Sequence, residues 1–291
     1  LIAGPIVEPK SLIPQIKNKN LVLFDDIFTG IFIFSVGIGI KVLLADSIGN
    51  YIDPIFSDLE NYEFKKRVVA LFLFSQQIFF DFNGYTLMAI GVAKTLGINL
   101  PENFNAPYLS KSISEFWKKW HITLSNWIKN YIYIPLGGSK SGKFKHYINI
   151  FIAMLISGIW HGAGYNFILW GFLHAVFIFF EKIFYINYSS NFFKVLKVIY
   201  CYLVVTFLWL FFRVNNIQDI IGFFDDFSVL NLLETNTLYF MAIIFILNYS
   251  QKYITINSLT NVYNRLNKIF VISLSFILII TCIVLSKGTS Q

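Results

Sequence analysis

Seven apolar stretches dominate this 291-residue chain, and each is long enough to cross or nearly cross a lipid bilayer. Only 13% of the residues are charged, whereas an ordinary soluble domain carries about 25%. Since a membrane-spanning helix needs about 20 mostly apolar residues, the hydrophobic content of 56% allows at most about eight spans. We therefore predict an all-α, polytopic integral membrane protein. The stretches are Ile27 to Ala45, Val68 to Phe82, Tyr147 to Trp160, Tyr165 to Phe184, Val195 to Phe212, Leu238 to Tyr249 and Ile269 to Leu285.

The composition also argues against several classes of protein. A mean hydropathy of +0.62 with so few charges disfavours a disordered chain, a nucleic-acid-binding domain and a secreted disulfide scaffold. The net charge of +7 is better explained by basic cytoplasmic loops than by an acidic partner. Cys201 and Cys282 lie inside apolar runs, so we interpret them as lipid-facing or core residues and predict neither a disulfide nor a metal site. The predicted partner is thus the lipid bilayer, not a nucleic acid.

Basic residues cluster just before three of the apolar stretches. The positive-inside rule would place all three clusters on the cytoplasmic face, which requires two crossings between successive clusters. Because the stretch from Tyr85 to Ile98 is short for a full crossing, the orientation stays open. The clusters are Lys65, Lys66 and Arg67; Lys140, Lys143 and Lys145; and Lys182, Lys194 and Lys197.

The stretch from Tyr147 to Trp160 is too short for a full crossing. Its 14 residues give about 21 Å of helix, against a hydrocarbon core of about 30 Å. It ends in a glycine-rich segment from Gly158 to Gly164, which contains His161. Irregular backbone at membrane depth is tolerated where it is buried in protein or lines a cavity, so we predict that His161 faces a pocket or channel. An imidazole there can act as a general base toward a hydroxyl, or it can donate a structural hydrogen bond between helices.

A second histidine, His121, follows an aromatic and basic segment. The segment from Phe116 to Trp127 predicts a helix, because Trp117 and Trp120 recur with later apolar residues at spacings of three and four. Such a helix could lie in the membrane interface, with its indole rings at headgroup level. That interpretation explains His121 less well, since His121 would lie on the same helix face as Ser114 and Ser125. A functional role for His121 is the alternative.

Three further ionisable residues have structural explanations. Asp81 ends an apolar run, where a carboxylate either pairs with a base or caps a broken helix. His174 would lie about 20 Å beyond His161 in a regular helix, so we predict a packing or interfacial group. His146 lies in a basic loop, where we predict a solvated side chain. The sequence contains no Walker, GxSxG, GxGxxG or HExxH motif, so a soluble-type nucleotide or zinc site is not predicted.

Several short motifs occur in order between Phe82 and His174. They are Phe82-Asn83-Gly84-Tyr85, the segment Pro101 to Asn105, the segment Glu115 to His121 with Leu124-Ser125, the segment Tyr133 to Gly138, and Trp160-His161-Gly162-Ala163 through Trp170-Gly171. Each motif is weak alone, but together they resemble those of the membrane-bound O-acyltransferases. The branch they most resemble is the bacterial alginate O-acetyltransferase type, which includes relatives that O-acetylate peptidoglycan. Weaker similarity covers nearly the whole chain.

This resemblance implies a ring of transmembrane helices around a pinched tunnel. It implies that His161 is essential for acyl transfer and that His121 is a second polar group near the tunnel. The implied donor is a cytoplasmic thioester, acetyl-CoA or another acyl thioester, with no bound cofactor. The acetyl group would pass to a periplasmic or extracellular partner protein that acetylates an alginate-like exopolysaccharide or peptidoglycan, at the bacterial cytoplasmic (inner) membrane. The other tunnel-lining candidates are Asp81, Trp117, Trp120, Ser125, Trp160, Tyr165 and Asn166.

The domain organisation is predicted to be simple. We find no internal repeat, and we predict one transmembrane domain over residues 1–291 with a core motif region over residues 82–174. Relatives of this type possess helices before the position of Leu1, so we expect an N-terminally incomplete domain. Three residues depart from the family pattern, which has arginine at the position of Glu8 and aspartate at the positions of Leu87 and Asn130.

Two other functions stay open on the sequence. A membrane transporter, or a proton or solute channel, could use His161, His121 and Asp81 as polar groups along its path. A truncated product that merely occupies the membrane is the third possibility. Transfer of an acetyl group separates the enzyme from both alternatives, because neither of them forms a new covalent bond.

Overall fold

The computed structural model describes residues 4–17, 22–140, 142–184, 190–214, 216–227 and 235–288. Every regular element among these residues is helical and none is a strand, which confirms the predicted all-α class. Leu1, on which the expected N-terminal truncation was based, lies outside the described residues. The α-helices are α1 (Pro9–Lys17), α2 (Phe24–Gly39), α3 (Ser47–Ser57), α4 (Phe64–Thr95), α5 (Ile113–Phe116), α6 (Ile122–Ile128), α7 (Lys143–His161), α8 (Tyr165–Ile183), α9 (Asn191–Arg213), α10 (Ile217–Gly222), α11 (Thr235–Ser250), α12 (Ile256–Arg265) and α13 (Lys268–Gly288).

Four helical stretches of the described chain are long and apolar enough to cross a membrane, which confirms the polytopic class. All seven apolar stretches predicted from the sequence lie in helices. The other three stretches lie in α4, α7 and α11, which are not both long and apolar enough to be candidate spans. Helices α4 and α7 carry more polar residues, and α11 is only 16 residues long. The four candidate spans are Phe24–Ser57, Tyr165–Ile183, Asn191–Arg213 and Lys268–Ser286.

The chain forms two compact units whose segments alternate along the sequence. The first unit consists of Leu1–Asn50, Gln76–Asn105 and Ser250–Gln291, and the second of Tyr51–Ser75 and Ala106–Tyr249. Helix α4 begins in the second unit and ends in the first. Helix α4 also continues past Asp81 to Thr95, so the segment after Tyr85 is part of one 32-residue helix. The single domain over residues 1–291 stays a prediction.

In the first unit, α2 and the later part of α4 cross at two pairs of glycines. A Cβ atom added to Gly30 would lie 2.6 Å from the carbonyl oxygen of Gly91, and one added to Gly37 would lie 2.8 Å from that of Gly84. Real Cβ atoms do not approach oxygen so closely. Small residues let two helix backbones come into direct contact, which is a common way of packing helices in a membrane. These four glycines therefore set the spacing of α2 and α4.

Asp81 forms an ion pair within the first unit. The Lys41 ammonium contacts the Asp81 carboxylate at 2.8 Å and also pairs with Asp46. Lys41 lies in a π-helical segment, Ile40–Asp46, which interrupts the candidate span Phe24–Ser57. Charged groups within membrane segments are costly and usually pair with one another. Of the two predicted explanations for Asp81, pairing with a base is confirmed, and capping of a broken helix is wrong because α4 is continuous there.

We expect the loss of Lys41 to destabilise the protein more than the loss of the Asp81 charge. Lys41→Met leaves two carboxylates without their shared cation, whereas Asp81→Asn leaves the pair between Lys41 and Asp46 in place. The side chains are partly exposed, so the expected difference is only about 1 kcal/mol. Thermal unfolding in detergent measures it, and equal losses in the two variants would contradict this prediction.

The second unit is organised around an antiparallel pair of helices, α7 and α8. Gly158 on α7 faces the carbonyl oxygen of Phe167, and Gly171 on α8 faces that of Met154. A Cβ atom added to either glycine would overlap the facing oxygen. Helix α9 packs on α8 and contributes the fully buried Trp209 to the core. The core of this unit is therefore built around a backbone-to-backbone contact that only glycine permits.

Helix α7 is longer than the sequence predicts. It begins at Lys143 and contains 19 residues, so it extends for about 28 Å and not 21 Å. The basic residues before Tyr147, which the sequence places in a loop, form its first turn. A helix of this length nearly spans a hydrocarbon core of about 30 Å. Its length therefore gives no reason to expect that it ends inside the membrane. The predicted interruption after Trp160 is confirmed, since α7 ends at His161 and α8 begins at Tyr165.

Candidate active site

His161 is the last residue of α7, at the start of the glycine-rich connection to α8. The connection is closed by a hydrogen bond from the Gly162 amide to the Ile159 carbonyl at 3.2 Å. The half-buried His161 ring makes edge-to-face contacts with two aromatic rings. Its centroid lies 5.4 Å from that of Trp170 and 5.1 Å from that of Phe212. The helix break thus places an imidazole against an aromatic wall, with part of its ring accessible.

His121 lies at a break between two short helices and not within a helix. Helix α5 ends at Phe116 and α6 begins at Ile122, and His121 has a left-handed backbone with φ 41°. This conformation is uncommon outside glycine and is incompatible with a continuous helix. The predicted continuous helix is therefore wrong. Trp120 is only 3% exposed and His121 only 6%, so these two rings are buried in the protein. The predicted interfacial position of the segment stays a prediction.

The two histidines lie close enough to interact electrostatically. Burial lowers the pKa of His121 from its usual value to about 3, and the nearby His161 acts in the same direction. His121 is therefore neutral at physiological pH, with one nitrogen that can donate and one that can accept a hydrogen bond. Sequence positions 40 residues apart are brought together by the return of the chain through α6 and α7.

Trp170 lies at the centre of the aromatic cluster beside His161. It is fully buried, and its ring contacts those of Trp117 at 5.5 Å, His174 at 4.8 Å and Trp209 at 5.7 Å between centroids. His161 and His174 thus contact the same indole. The separation of about 20 Å predicted for these two histidines is wrong, because the chain reverses direction between α7 and α8.

His174 has the packing role that its position predicts. It is fully buried, and its Nδ1 accepts a hydrogen bond from Trp117 Nε1 at 3.2 Å. Its ring also stacks on Phe116, with centroids 6.4 Å apart. Helix α8 is thereby joined to the segment that leads to His121. His174 supports the geometry of the site through Trp117 and Phe116.

The other predicted tunnel-lining residues occupy different surroundings. Trp120 packs in the core, with its ring 5.0 Å from that of Trp209. Asn166 is buried and donates a hydrogen bond to the Val214 carbonyl at 3.0 Å. Trp160 and Tyr165 lie on the surface, 47% and 81% exposed. The remaining candidates are Trp117 and Ser125, which line a cavity of the second unit, and Asp81, which belongs to the first unit.

The cavity lined by Trp117 and Ser125 has a volume of about 230 Å³ and lies between α5, α6, α7 and α8. It includes His146, which the sequence placed in a solvated loop. That prediction is wrong, since His146 is half-buried in the first turn of α7 and lies 2.8 Å from the Tyr133 hydroxyl. Lys129 and Lys182, which the motifs did not single out, also line this cavity. In the sequence, Lys182 belongs to the basic cluster with Lys194 and Lys197, but such a cluster does not by itself predict a cavity.

Comparison with known proteins identifies the family. The model of the membrane-bound O-acyltransferase family matches residues 1–220. The chain belongs to the membrane-bound O-acyltransferase family. This confirms the resemblance drawn from the motifs, all of which lie within the matched residues.

Relatives of this chain carry three different names. The chain is 39% identical over 225 residues to "Peptidoglycan O-acetyltransferase" of Helicobacter pylori, and 37% identical over 218 residues to "Probable alginate O-acetylase AlgI" of Pseudomonas aeruginosa. Each match covers 75% of this chain and 42% of the relative. "Teichoic acid D-alanyltransferase" of Bacillus subtilis is 32% identical over 169 residues, which cover 54% of this chain and 43% of that protein. The matches thus span less than half the length of these relatives.

Proposed function

We propose that this protein is a membrane O-acyltransferase that moves an acetyl group from a cytoplasmic thioester toward hydroxyl groups of an extracytoplasmic polysaccharide. The observation that carries the proposal is the proximity of two imidazoles beside one aromatic cluster. His161 lies near enough to His121 to affect its protonation. His161 ends α7, and His121 directly precedes α6, so both histidines lie at helix ends. Family membership supports the same chemistry.

In the proposed reaction, His161 acts as the general base. A ring nitrogen of its neutral form removes the proton of the acceptor hydroxyl as the hydroxyl oxygen attacks the acetyl carbonyl carbon. The tetrahedral intermediate then collapses, the carbon–sulfur bond breaks, and the leaving thiolate takes the proton back from the imidazolium. One general base contributes about 10² to 10⁴ in rate, and the positioning of both substrates contributes further.

His121 acts as the second polar group of the site. Because burial keeps it neutral, it does not repel a protonated His161 during the reaction. Its one donor and one acceptor can hold the reacting hydroxyl or carbonyl in place by hydrogen bonds. The left-handed backbone at φ 41° is costly and fits a residue whose orientation serves a function.

The proposed acceptor is an alginate-like exopolysaccharide or peptidoglycan. The names of two relatives refer to alginate and to peptidoglycan, and that of a third refers to teichoic acid. All three polymers carry hydroxyl groups, which are the acceptors in the proposed reaction. We therefore place the protein in the bacterial cytoplasmic membrane, with a periplasmic or extracellular partner protein that completes the transfer.

Transfer of label from acetyl-CoA tests this function. Membranes that contain the protein, with any flanking sequence its gene encodes, are supplied with acetyl-labelled acetyl-CoA and with alginate or peptidoglycan fragments. We expect label to appear on the polysaccharide as an ester that mild alkali releases, and membranes without the protein serve as the control. Movement of solute or protons across sealed vesicles with no ester formed would contradict the proposal and favour a transporter.

A further inference from the structure

We propose that a second cavity of the second unit, between α4, α9 and α11, holds one acyl chain of an anionic phospholipid whose phosphate lies beside Lys194 and Lys197. The cavity has a volume of about 270 Å³. The proposal is independent of the proposed function, because a lipid held here takes no part in acyl transfer. The lining residues are mostly apolar and include Phe72, Tyr108, Tyr202, Leu203, Ile244 and Asn248.

The walls of this cavity are suited to hydrocarbon. The hydroxyl groups of its two tyrosines are engaged within the protein, since Tyr108 donates to the Ser75 carbonyl at 2.6 Å and the Tyr202 hydroxyl lies 2.7 Å from Ser75 Oγ. Among the described residues that line the cavity, none carries a charge. Apolar cavities of about 150 Å³ stay free of water and bind small hydrocarbons. A hydrocarbon chain is therefore the expected occupant of this larger one.

The mouth of the cavity opens on the surface of a candidate membrane span. Ile199 and Leu203 on α9 are 39% and 46% exposed, and Phe245 on α11 is 48% exposed. Behind them, Tyr202 and Ile244 are buried. Helix α9 is one of the four candidate spans, so its outer surface contacts lipid acyl chains. A chain of a neighbouring lipid can thus enter between α9 and α11 without leaving the hydrocarbon.

The length of the site matches one leaflet of a bilayer. Lys194 lies one turn before Val198 on the same face of α9, and Leu203 is the last residue of this helix that lines the cavity. From Lys194 to Leu203 the helix rises by about 14 Å. Half of a hydrocarbon core of about 30 Å is about 15 Å. A lipid with its phosphate at Lys194 therefore reaches the bottom of the cavity with its acyl chain.

The end of the second unit at which α9 begins is basic. Trp170, early in α8, stacks on Trp209, late in α9, so these helices are antiparallel and α9 begins where α8 ends. Helix α8 is also antiparallel to α7, so the start of α7 lies at the same end. The lysines brought to this end include Lys140, Lys143, Lys145, Lys182, Lys194 and Lys197.

This arrangement assigns the basic end to the cytoplasmic side of the membrane. Two crossings, α7 and α8, separate the two lysine clusters, as the positive-inside rule requires. At the opposite end of α9, Arg67 is buried against backbone carbonyls and Arg213 pairs with Asp53. The cytoplasmic leaflet carries anionic lipids, and each lysine near its surface adds to their attraction. An anionic headgroup therefore fits Lys194 and Lys197 better than a zwitterionic one.

An aromatic core separates this cavity from the proposed active site. Tyr108 lines the cavity and accepts a hydrogen bond from Trp209 Nε1 at 3.1 Å. Trp209 stacks on Trp170, and Trp170 contacts the His161 ring. A lipid in the cavity thus contacts the side of the core remote from His161, and its role is structural.

Photo-cross-linking in lipid nanodiscs tests the proposal on the protein with any flanking sequence its gene encodes. The probe is phosphatidylglycerol with a diazirine in the middle of one acyl chain, as a minor component in phosphatidylcholine, and peptide mass spectrometry locates the adducts. We expect adducts to concentrate on residues 198–203 and 244–248. Unlabelled phosphatidylglycerol should compete better than phosphatidylcholine. Lys194→Gln and Lys197→Gln should each weaken labelling about fivefold, the usual effect of one lysine near an anionic surface.

Matched variants separate the headgroup site from the cavity. Lys143→Gln removes the same charge at the same end of the unit but on α7, so labelling should stay unchanged. Leu203→Trp fills the mouth of the cavity and should abolish the adducts on residues 244–248. Phe207→Trp, one turn further along α9 and outside the lining, should preserve them. Both positions on α9 are partly exposed, so each has room for a larger side chain.

Two results would overturn the proposal. Adducts spread evenly over the exposed faces of α8, α9 and α13, whatever the variant, would mean that only surrounding bilayer lipid is labelled. Equal competition by phosphatidylcholine and phosphatidylglycerol would exclude recognition of an anionic headgroup. If Leu203→Trp does not fold, the lysine variants and the map of adducts in the unmodified protein decide. None of these measurements requires acetyl transfer, so failure of the proposed function leaves the test intact.

Discussion

Replacement of His161 by alanine is expected to reduce acetylation of the polysaccharide by about 10²-fold to 10⁴-fold. This is the usual contribution of one general base. His121 is also neutral because it is buried, but it lies at a different helix break and so does not occupy the position of His161. The measurement is the amount of alkali-released acetate per polysaccharide, in cells that produce the variant at the level of the unmodified protein. His161→Gln should be equally inactive, because an amide retains hydrogen bonding but cannot take up the proton.

The control for this variant is Ile159→Ala. Ile159 lies two residues before His161 on α7 and is 55% exposed, so its truncation tests for local disturbance of the helix end without removing a reactive group. We expect acetylation close to normal in this variant. A normal acetyl content in His161→Ala would refute the proposed role of His161.

Gly158→Ala is expected to destabilise the second unit by about 1–3 kcal/mol, the usual cost of an overpacked core. The new Cβ atom would overlap the carbonyl oxygen of Phe167, and a backbone oxygen cannot move aside as a flexible side chain can. The contact between α7 and α8 also holds Trp170 against His161, so we expect activity to fall together with stability. Thermal unfolding in detergent, followed by size-exclusion chromatography, measures the effect.

Gly222→Ala is the matched control for this substitution. At Gly222 the nearest atom to an added Cβ, the Asp225 carboxylate, is 3.7 Å away, which is an ordinary van der Waals contact. We expect this variant to unfold at nearly the temperature of the unmodified protein. If Gly158→Ala were as stable as Gly222→Ala, the close approach of α7 and α8 would not be essential to the fold.

The helices and the break at His161 could be predicted because their causes are local. Long apolar runs form helices wherever the bilayer or the core removes water, and all seven predicted runs lie in helices. The glycines after Trp160 favour an end to the helix whatever packs around them. The start of α7 at Lys143 was missed because basic residues were interpreted as a loop, although lysine is a good helix former.

The surroundings of His121 could not be predicted from its neighbours in sequence. The spacing of Trp117 and Trp120 matches a helical stripe, but both indoles take part in the core contacts of the second unit. Those contacts are made with α8 and α9, which lie more than 40 residues later in the chain. Burial of these rings outweighs the local preference for one helix, and the cost is a left-handed residue at His121.

Composition and local pattern were sufficient to predict a helical membrane protein and His161 as the main candidate base. The family resemblance came from the short motifs between Phe82 and His174. Hydropathy and glycine content act over a few residues, so they can be interpreted without knowledge of partners. Only the tertiary structure paired Asp81 with Lys41, brought His121 near His161, and placed Lys129, Lys182 and His146 around one cavity. Those relationships depend on which helix faces pack together, and that choice is made by contacts between residues distant in the chain.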